Sequence, residues 1–228
     1  MDFDAWRRSL EGKNDLLDRE FTRGLIIIYV VGAAGRLAPA ARAAMDALTP
    51  WTLLLGAAMT LLAVVRPRNY RLLVWALTTA TVAFLLEAIG VRTGFPFGAY
   101  AYGTVLGFHI LDVPPVIGLN WTLVVLGAAY AARTATDSKI GRVLLVGALA
   151  ATFDFVMEPA AVALDFWTWA AVVPPAQNYV AWFAIAAVAA VPLEYGEIEI
   201  PSPLPMRLAL LQVGYFAILD AALYFGAL

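Results

Sequence analysis

Long apolar stretches separated by short polar segments dominate the hydropathy pattern of this chain. Each stretch approaches about 20 residues, the length of helix that crosses a hydrocarbon core roughly 30 Å thick. The pattern predicts seven spans, but Arg36 interrupts the first and would have to extend towards the membrane surface; without that span the count is six. The predicted spans cover residues 21–38, 50–65, 70–91, 113–132, 140–164, 178–194 and 206–228.

Residues 1–20 differ from the rest because their apolar side chains are spaced among many charges. This pattern predicts an amphipathic cytoplasmic segment on the membrane surface, followed by a single transmembrane helical domain over residues 21–228. Lys and Arg accumulate on the cytoplasmic side of membrane proteins. With seven spans, 12 of the 15 basic residues lie on the N-terminal side. We therefore expect the N-terminus in the cytoplasm and a multi-pass protein of the cell membrane.

The composition agrees with this topology and excludes other classes of protein. The chain is 62% hydrophobic and 14% charged, against roughly 45–50% and 25% in soluble domains. A net charge of -2 argues against nucleic-acid binding, and the absence of cysteine excludes disulfides, thiolate metal sites and cysteine nucleophiles. The predicted fold class is therefore all-α, a polytopic helix bundle.

Four carboxylates, at Glu87, Asp154, Glu158 and Asp220, lie inside the predicted spans. An ionised side chain there costs roughly 2.5–3.5 kcal/mol, so such residues usually face the bundle interior and mark function. Asp154 and Glu158 are four residues apart and share a helix face; buried carboxyls close together tend to hold a proton. The alternative is that they only specify helix packing. The pattern favours function for this pair, leaves Glu87 open, and favours a structural role for Asp220.

Polar and aromatic residues gather at the outer level of the same spans. Pro159 predicts a kink next to Glu158 that opens space beside the acids. Trp and Tyr form belts at any membrane interface, but aromatic clusters beside acids also suit a polyene or a carbocation. Acids without a histidine cluster predict no metal site. The candidate substrate-binding residues are Arg92, Phe97, Tyr100, Tyr102, Asn120, Trp121, Trp167, Trp169 and Asn178. For Arg92 the simpler interpretation is an interfacial ion pair with Glu87.

Two blocks of sequence carry a resemblance to a known family. The first runs over residues 87–102 and continues with Val113-Pro114-Pro115 and Asn120-Trp121. The second contains Asp154-x-x-x-Glu158-Pro159, Trp167-x-Trp169, Pro175, Asn178 and Trp182. Together they resemble the membrane carotenoid biosynthesis family, which includes the CruF-type carotenoid 1,2-hydratases and bisanhydrobacterioruberin hydratase. The resemblance covers roughly residues 84–183.

The resemblance implies addition of water to the terminal C1–C2 double bond of an acyclic carotenoid end group. Protonation of C2 gives a tertiary cation at C1, which water captures, and no cofactor is expected because hydration changes no net oxidation state. The implied roles are a proton shared by Asp154 and Glu158, one of them the donor, and a water positioned or deprotonated by Glu87. Tyr100, Asn120 and Asn178 would orient this water, and Trp121, Trp167 and Trp169 would flank the polyene.

Two other functions stay open from the sequence. A lycopene-type cyclase would make a related cation and quench it internally, and Val191-Pro192-Leu193-Glu194 faintly resembles a motif of small membrane cyclases. A proton-coupled transporter would also use intramembrane acids, although no paired halves are visible. The expected partners are a lipophilic acyclic carotenoid, the lipid bilayer and other enzymes of the carotenoid pathway.

Overall fold

The computed structural model describes residues 3–65, 69–171 and 173–228, with side chains from Asp15 onward. The predicted amphipathic pattern rests mainly on side chains before Asp15, which lie outside the described residues. Within the described part the chain forms seven α-helices, and a short 3-10 turn at Pro39–Ala41 joins the first two. The helices are α1 (Phe3–Leu37), α2 (Arg42–Val64), α3 (Tyr70–Thr93), α4 (Val116–Ala135), α5 (Lys139–Ala163), α6 (Ala176–Tyr195) and α7 (Leu204–Tyr224).

Six of these helices are long and apolar enough to cross a membrane: α3 to α7, and α2 together with the turn before it. Many large apolar side chains are exposed on the bundle surface, including Leu62, Leu77 and Val188. In water such a surface would be unfavourable, whereas lipid is the solvent that it suits. The predicted all-α membrane bundle is therefore confirmed.

Helix α1 is not among these six helices, yet it runs beside α7 for the full length of α7. Near the start of α7, Ser202 donates a hydrogen bond of 2.9 Å to Asp18. Near its end, the Arg42 guanidinium, just after α1, donates to the carbonyl of Ala227 over 3.2 Å. The second half of α1 thus matches the length of one spanning helix.

The environment of Arg36 differs from the sequence-based expectation. Its side chain does not extend to the membrane surface; it is 3% exposed. The guanidinium pairs with the Asp46 carboxylate and donates a hydrogen bond of 2.7 Å to Thr49, both on α2. A buried guanidinium is tolerated when its charge is paired and its N–H groups have acceptors. Arg36 therefore ties α1 to α2.

Helix α4 lies at the centre of the bundle and contacts every other helix from α2 to α7. Small residues permit these close crossings. A Cβ atom added at Gly118 would lie 2.4 Å from the carbonyl oxygen of Ala80 on α3. At the crossing of α5 and α6, a Cβ at Gly147 would lie 2.7 Å from the carbonyl oxygen of Phe183. These crossings bring α3, α4, α5 and α6 together around the acids.

Helix ends follow local sequence signals, with two differences from the predicted spans. The side chains of Asn69 and Ser138 cap the N-termini of α3 and α5, as short polar residues commonly do. Helix α2 begins at Arg42, well before residue 50, because a proline inside a membrane helix is tolerated and Pro50 does not end it. Likewise α5 continues through Pro159. Helix α4 begins only at Val116, directly after two prolines.

Two connecting loops on the same end of the bundle pair to form a small antiparallel sheet. Strand β1 (Tyr100–Tyr102) pairs with β2 (Trp167–Trp169), placing Tyr100 opposite Trp169 and Tyr102 opposite Trp167. Because alternate side chains of a strand point to one face, all four aromatic rings lie on the inner face. The outer face carries only Ala101 and Thr168, and both are exposed. The sheet thus forms an aromatic cover over the ends of α3 and α5.

Candidate active site

A small cavity lies beneath this sheet, between α3, α4, α5 and α6. Its volume is about 40 Å³, and a polar cavity needs only about 10–15 Å³ of such space to hold a water molecule. Three carboxyl groups, from Glu87, Asp154 and Glu158, face it together with amide and aromatic side chains. The other lining residues are Phe97, Tyr100, Tyr102, Ile117, Asn120, Trp121, Met157, Trp167, Trp169, Asn178 and Trp182. We call this space the acid cavity.

Glu87 lies in the last turns of α3 and accepts three hydrogen bonds from side chains. The hydroxyls of Tyr100 and Tyr102 both donate to Oε2, the latter over 2.8 Å. The indole N–H of Trp121 donates to Oε1 over 2.8 Å. The carboxyl is 4% exposed. Charge-assisted hydrogen bonds of this kind compensate a buried carboxylate for its lost hydration.

Glu158 lies on α5 and is held by the second strand of the sheet. The indole N–H groups of Trp167 and Trp169 donate to its Oε2 over 3.1 Å and 2.9 Å. Pairing of the two strands places Tyr100 against Trp169, with ring centroids 5.2 Å apart. One sheet therefore supplies donors to Glu87 from β1 and to Glu158 from β2.

Asp154 lies one turn before Glu158 and has a different partner. The amide of Asn178, at the start of α6, donates to Asp154 Oδ2 over 2.5 Å. Both residues are buried. Asp154 and Glu158 thus have separate donors, although they share a helix face as the spacing predicts. Nearby, the Trp182 ring stacks on Trp121, with centroids 3.8 Å apart and planes 18° from parallel.

Among the described residues, the side chains that donate to the three carboxyls are neutral groups rather than cations. The ion pairs among the described residues engage other acids, such as Asp46, Asp112 and Glu194. In the sheet, burial raises the pKa of the Tyr100 phenol far above its ordinary value, and the Glu87 charge raises it further. The same two causes raise the pKa of Tyr102. Both phenols therefore stay protonated and remain hydrogen-bond donors at physiological pH.

All but one of the candidate residues predicted from sequence line the acid cavity, and the exception is Arg92. Arg92 is on the surface and pairs with Asp112 over 3.7 Å, so the expected ion pair with Glu87 does not form. Asp220, for which the sequence favours a structural role, is absent from the lining of the acid cavity. Within the described residues, no three acidic or histidine side chains are grouped as a metal site requires.

Three lining residues were not among the sequence-based candidates: Ile117, Met157 and Trp182. A sequence signal existed for two of them. Met157 lies between the two acids on α5, and Trp182 is one helical turn after Asn178 on the same face of α6. Ile117 lies near the start of α4, and no polar or aromatic character distinguishes it from other apolar residues.

Glu194, the acid of the cyclase-like segment, lies in a separate cluster at the other end of the bundle. Arg133 and Arg142 donate to its two carboxylate oxygens over 2.8 Å and 3.3 Å. The Glu194 carboxylate is buried and both oxygens are occupied. This arrangement suits a structural tie between α4, α5 and α6.

The fold and site together define an integral membrane helix bundle with an acidic, aromatic-lined cavity. Comparison with known proteins specifies this class. Residues 48–223 match the family described as carotenoid biosynthesis protein, and the chain belongs to that family. It is 31% identical over 194 residues to the bisanhydrobacterioruberin hydratase of Haloarcula japonica, an alignment covering 75% of this chain. The chain spans 63% of that relative's length. No solved structure matches the chain.

Proposed function

We propose that this protein is a cofactor-independent hydratase that adds water to the terminal C1–C2 double bond of an acyclic carotenoid end group. The observation that carries the proposal is the acid cavity, where three membrane-depth carboxyls face aromatic rings and space for water. Family membership and the hydratase similar to this chain support the same substrate class. Acid-catalysed hydration requires a proton donor, a stabilised cation and a water, and the cavity offers groups for each.

We assign the proton donor to Asp154. Among the described residues it receives one side-chain hydrogen bond, from Asn178 to Oδ2, which leaves Oδ1 available to carry the proton. Glu87 and Glu158 receive three and two such bonds. Donors aimed at a carboxyl favour its ionised form. This difference in hydrogen bonding supports one proton donor and two carboxylates, the division of roles found in other paired-acid sites.

The reaction then proceeds in two steps. Asp154 transfers its proton to C2 of the alkene, and the tertiary cation forms at C1. The Glu87 and Glu158 carboxylates and nearby tryptophan faces stabilise this charge, and each cation–π contact contributes about 0.5–2 kcal/mol. Water adds to C1 and loses a proton to Glu87, and water returns that proton to Asp154. The tyrosines of β1 keep Glu87 oriented throughout.

Co-expression with an acyclic-carotenoid pathway in a heterologous host tests the proposal. The extracted pigments should include a product one water heavier than the substrate, detected by chromatography and mass spectrometry. Asp154→Asn, Glu158→Gln and Glu87→Gln should abolish or strongly reduce this product.

Asp220→Asn is the matched control, since it changes an acid in a span that does not line the acid cavity. This variant should keep the wild-type yield. Unchanged pigment with wild-type protein present in the membrane would refute the hydratase function, and a new product isobaric with the substrate would indicate a cyclase instead.

A further inference from the structure

A second, larger cavity lies at the same end of the bundle, between α1, α2 and α7. Its volume is about 270 Å³, close to the roughly 300–1,000 Å³ typical of ligand sites. Its walls are mainly apolar and include Ile28, Leu53 and Phe216. Three further lining residues, Ile27, Val31 and Leu48, are also exposed on the bundle surface. The cavity therefore opens where the acyl chains of a membrane would lie.

A narrow space of about 30 Å³ lies between this cavity and the acid cavity. It shares Leu53, Phe166, Gln212 and Phe216 with the larger cavity. With the acid cavity it shares Ile117, Asn120, Met157 and Trp167. The three spaces thus lie in a row, with shared walls between neighbours, from the lipid-facing opening to the carboxyl groups.

An amide pair marks the junction of these spaces. Gln212 on α7 donates to Asn120 on α4 over 3.4 Å, a long hydrogen bond that is weak by the usual geometry. We call the narrow space between the two cavities the neck. The acid cavity and the neck are each too small for a hydrocarbon chain, so the neck must widen when a substrate enters. Met157 also lines the neck, and its unbranched side chain adapts its shape readily.

We infer that the larger cavity binds the polyene chain next to the reacting end group, which reaches the acid cavity through the Asn120–Gln212 neck. The inference rests on the proposed hydration and adds the path and the site of the rest of the substrate. An acyclic polyene is long, narrow and apolar, as is this row of spaces. Access from the lipid-facing side suits a substrate dissolved in the bilayer, because it never has to cross water.

Filling the larger cavity tests the inference. Gly32 lines it, and a Cβ atom there would meet Tyr215 at 3.6 Å, an ordinary van der Waals distance. Gly32→Leu should reduce both the conversion of carotenoid and the amount of carotenoid that co-purifies with the protein. The expected loss is about tenfold to a hundredfold, because extra methylene groups in a filled site weaken binding on this scale. Gly214→Leu is the control, since Gly214 is exposed with no neighbour within 4 Å of its Cβ position.

A second test variant and its control both lie on helix α2. Leu48→Trp narrows the opening on α2, whereas Leu62→Trp makes the same change on an exposed part of α2 away from it. Leu48→Trp should show the same loss, and Leu62→Trp should behave as wild type. A short acyclic terpene with the same terminal double bond enters by the same opening but, once bound, extends less far into the larger cavity. Its conversion should therefore fall less in Gly32→Leu than conversion of the long substrate, which separates blocked binding from misfolding.

Wild-type pigment content and conversion in both Gly32→Leu and Leu48→Trp would overturn the inference. Equal loss of the short and long substrates in both variants would also overturn it. Failure of the hydratase function itself looks different. In that case wild-type protein makes no hydrated product from either substrate, while bound pigment still reports whether the larger cavity holds a polyene.

Discussion

The three carboxyls of the acid cavity differ in the number and kind of donors that they receive. Glu87 has two phenols and an indole, Glu158 has two indoles, and Asp154 has one amide. No cation pairs with these acids among the described residues, so the proposed division of roles rests on their neutral donors. In the proposed reaction, residues of one chemical type thus take different roles because their hydrogen-bond donors differ.

Removing one donor from Glu87 should reduce activity without affecting the fold. Tyr102→Phe deletes only the hydroxyl that donates to Oε2 over 2.8 Å. Hydrogen bonds to charged groups contribute about 1.5–3 kcal/mol, so hydrated product should form about tenfold to a hundredfold more slowly. Tyr224→Phe, at a side chain 85% exposed, is the control and should have wild-type activity. Wild-type activity in Tyr102→Phe would show that this donor does not support the reaction.

The phenols of Tyr100 and Tyr102 should not ionise at moderately alkaline pH. Burial and the Glu87 charge raise both pKa values, so the neutral phenols are favoured in the folded protein. Their contribution to stability is therefore fully present below the unfolded pKa of about 10 and is lost only as pH rises through the raised folded values.

The absorbance of tyrosinate measures directly how many tyrosine side chains ionise as the pH rises. Up to about pH 11 the folded wild type and the double variant Tyr100→Phe/Tyr102→Phe should gain equal absorbance, since neither phenol ionises. In denaturant the double variant should gain less, because all nine tyrosines of the wild type are then free to titrate. A smaller gain in the folded double variant would mean that at least one of these phenols ionises in the native protein.

At the scale of elements, the two-stranded sheet and the Glu194 cluster have contrasting roles at opposite ends of the bundle. The sheet brings donors from two loops to two acids, which serves the cavity. The Glu194 cluster joins three helices through a buried ion-pair network. An acid inside a membrane protein is therefore not sufficient evidence of a catalytic role. The side chains that it contacts indicate whether its role is catalytic or structural.

Glu194→Gln should destabilise the protein and leave its chemistry intact. The change leaves the charges of Arg133 and Arg142 without their buried partner. Breaking a buried pair costs about 3–5 kcal/mol, and the partial exposure of both arginines reduces this to about 1–3 kcal/mol. Thermal unfolding in detergent should therefore occur at a lower temperature, with unchanged product per folded molecule. Glu197→Gln, which alters an exposed pair with Lys139, is the control. A selective loss of product in Glu194→Gln would favour the cyclase interpretation.

The helices and the grouping of the acids could be predicted from the sequence because both depend on local patterns. Span length identifies membrane helices, and i,i+4 spacing places Asp154 and Glu158 on one face. The pairing of β1 with β2 joins residues far apart in the chain, and only the Tyr-x-Tyr and Trp-x-Trp alternation hints at it. The burial of Arg36 likewise depends on Asp46, a partner on another helix. Hydropathy alone therefore wrongly predicted that the Arg36 side chain extends to the membrane surface.

At the scale of the whole molecule, the acid cavity and the larger cavity lie at one end of the bundle. The distribution of basic residues predicts that this end faces outward.

The chain has no cysteine, so the labelling of a single introduced cysteine reports the topology without background. His109 is exposed in the loop at the site end, and Asp137 is exposed between α4 and α5 at the opposite end. His109→Cys should react with a membrane-impermeant maleimide on intact cells, and Asp137→Cys only after permeabilisation. Leu228 lies at the site end, beside Thr104 and Asp165 of the connecting loops, so Leu228→Cys should label together with His109→Cys. The reverse pattern would place the acid cavity at the cytoplasmic face, from which the carotenoid end group would then have to be hydrated.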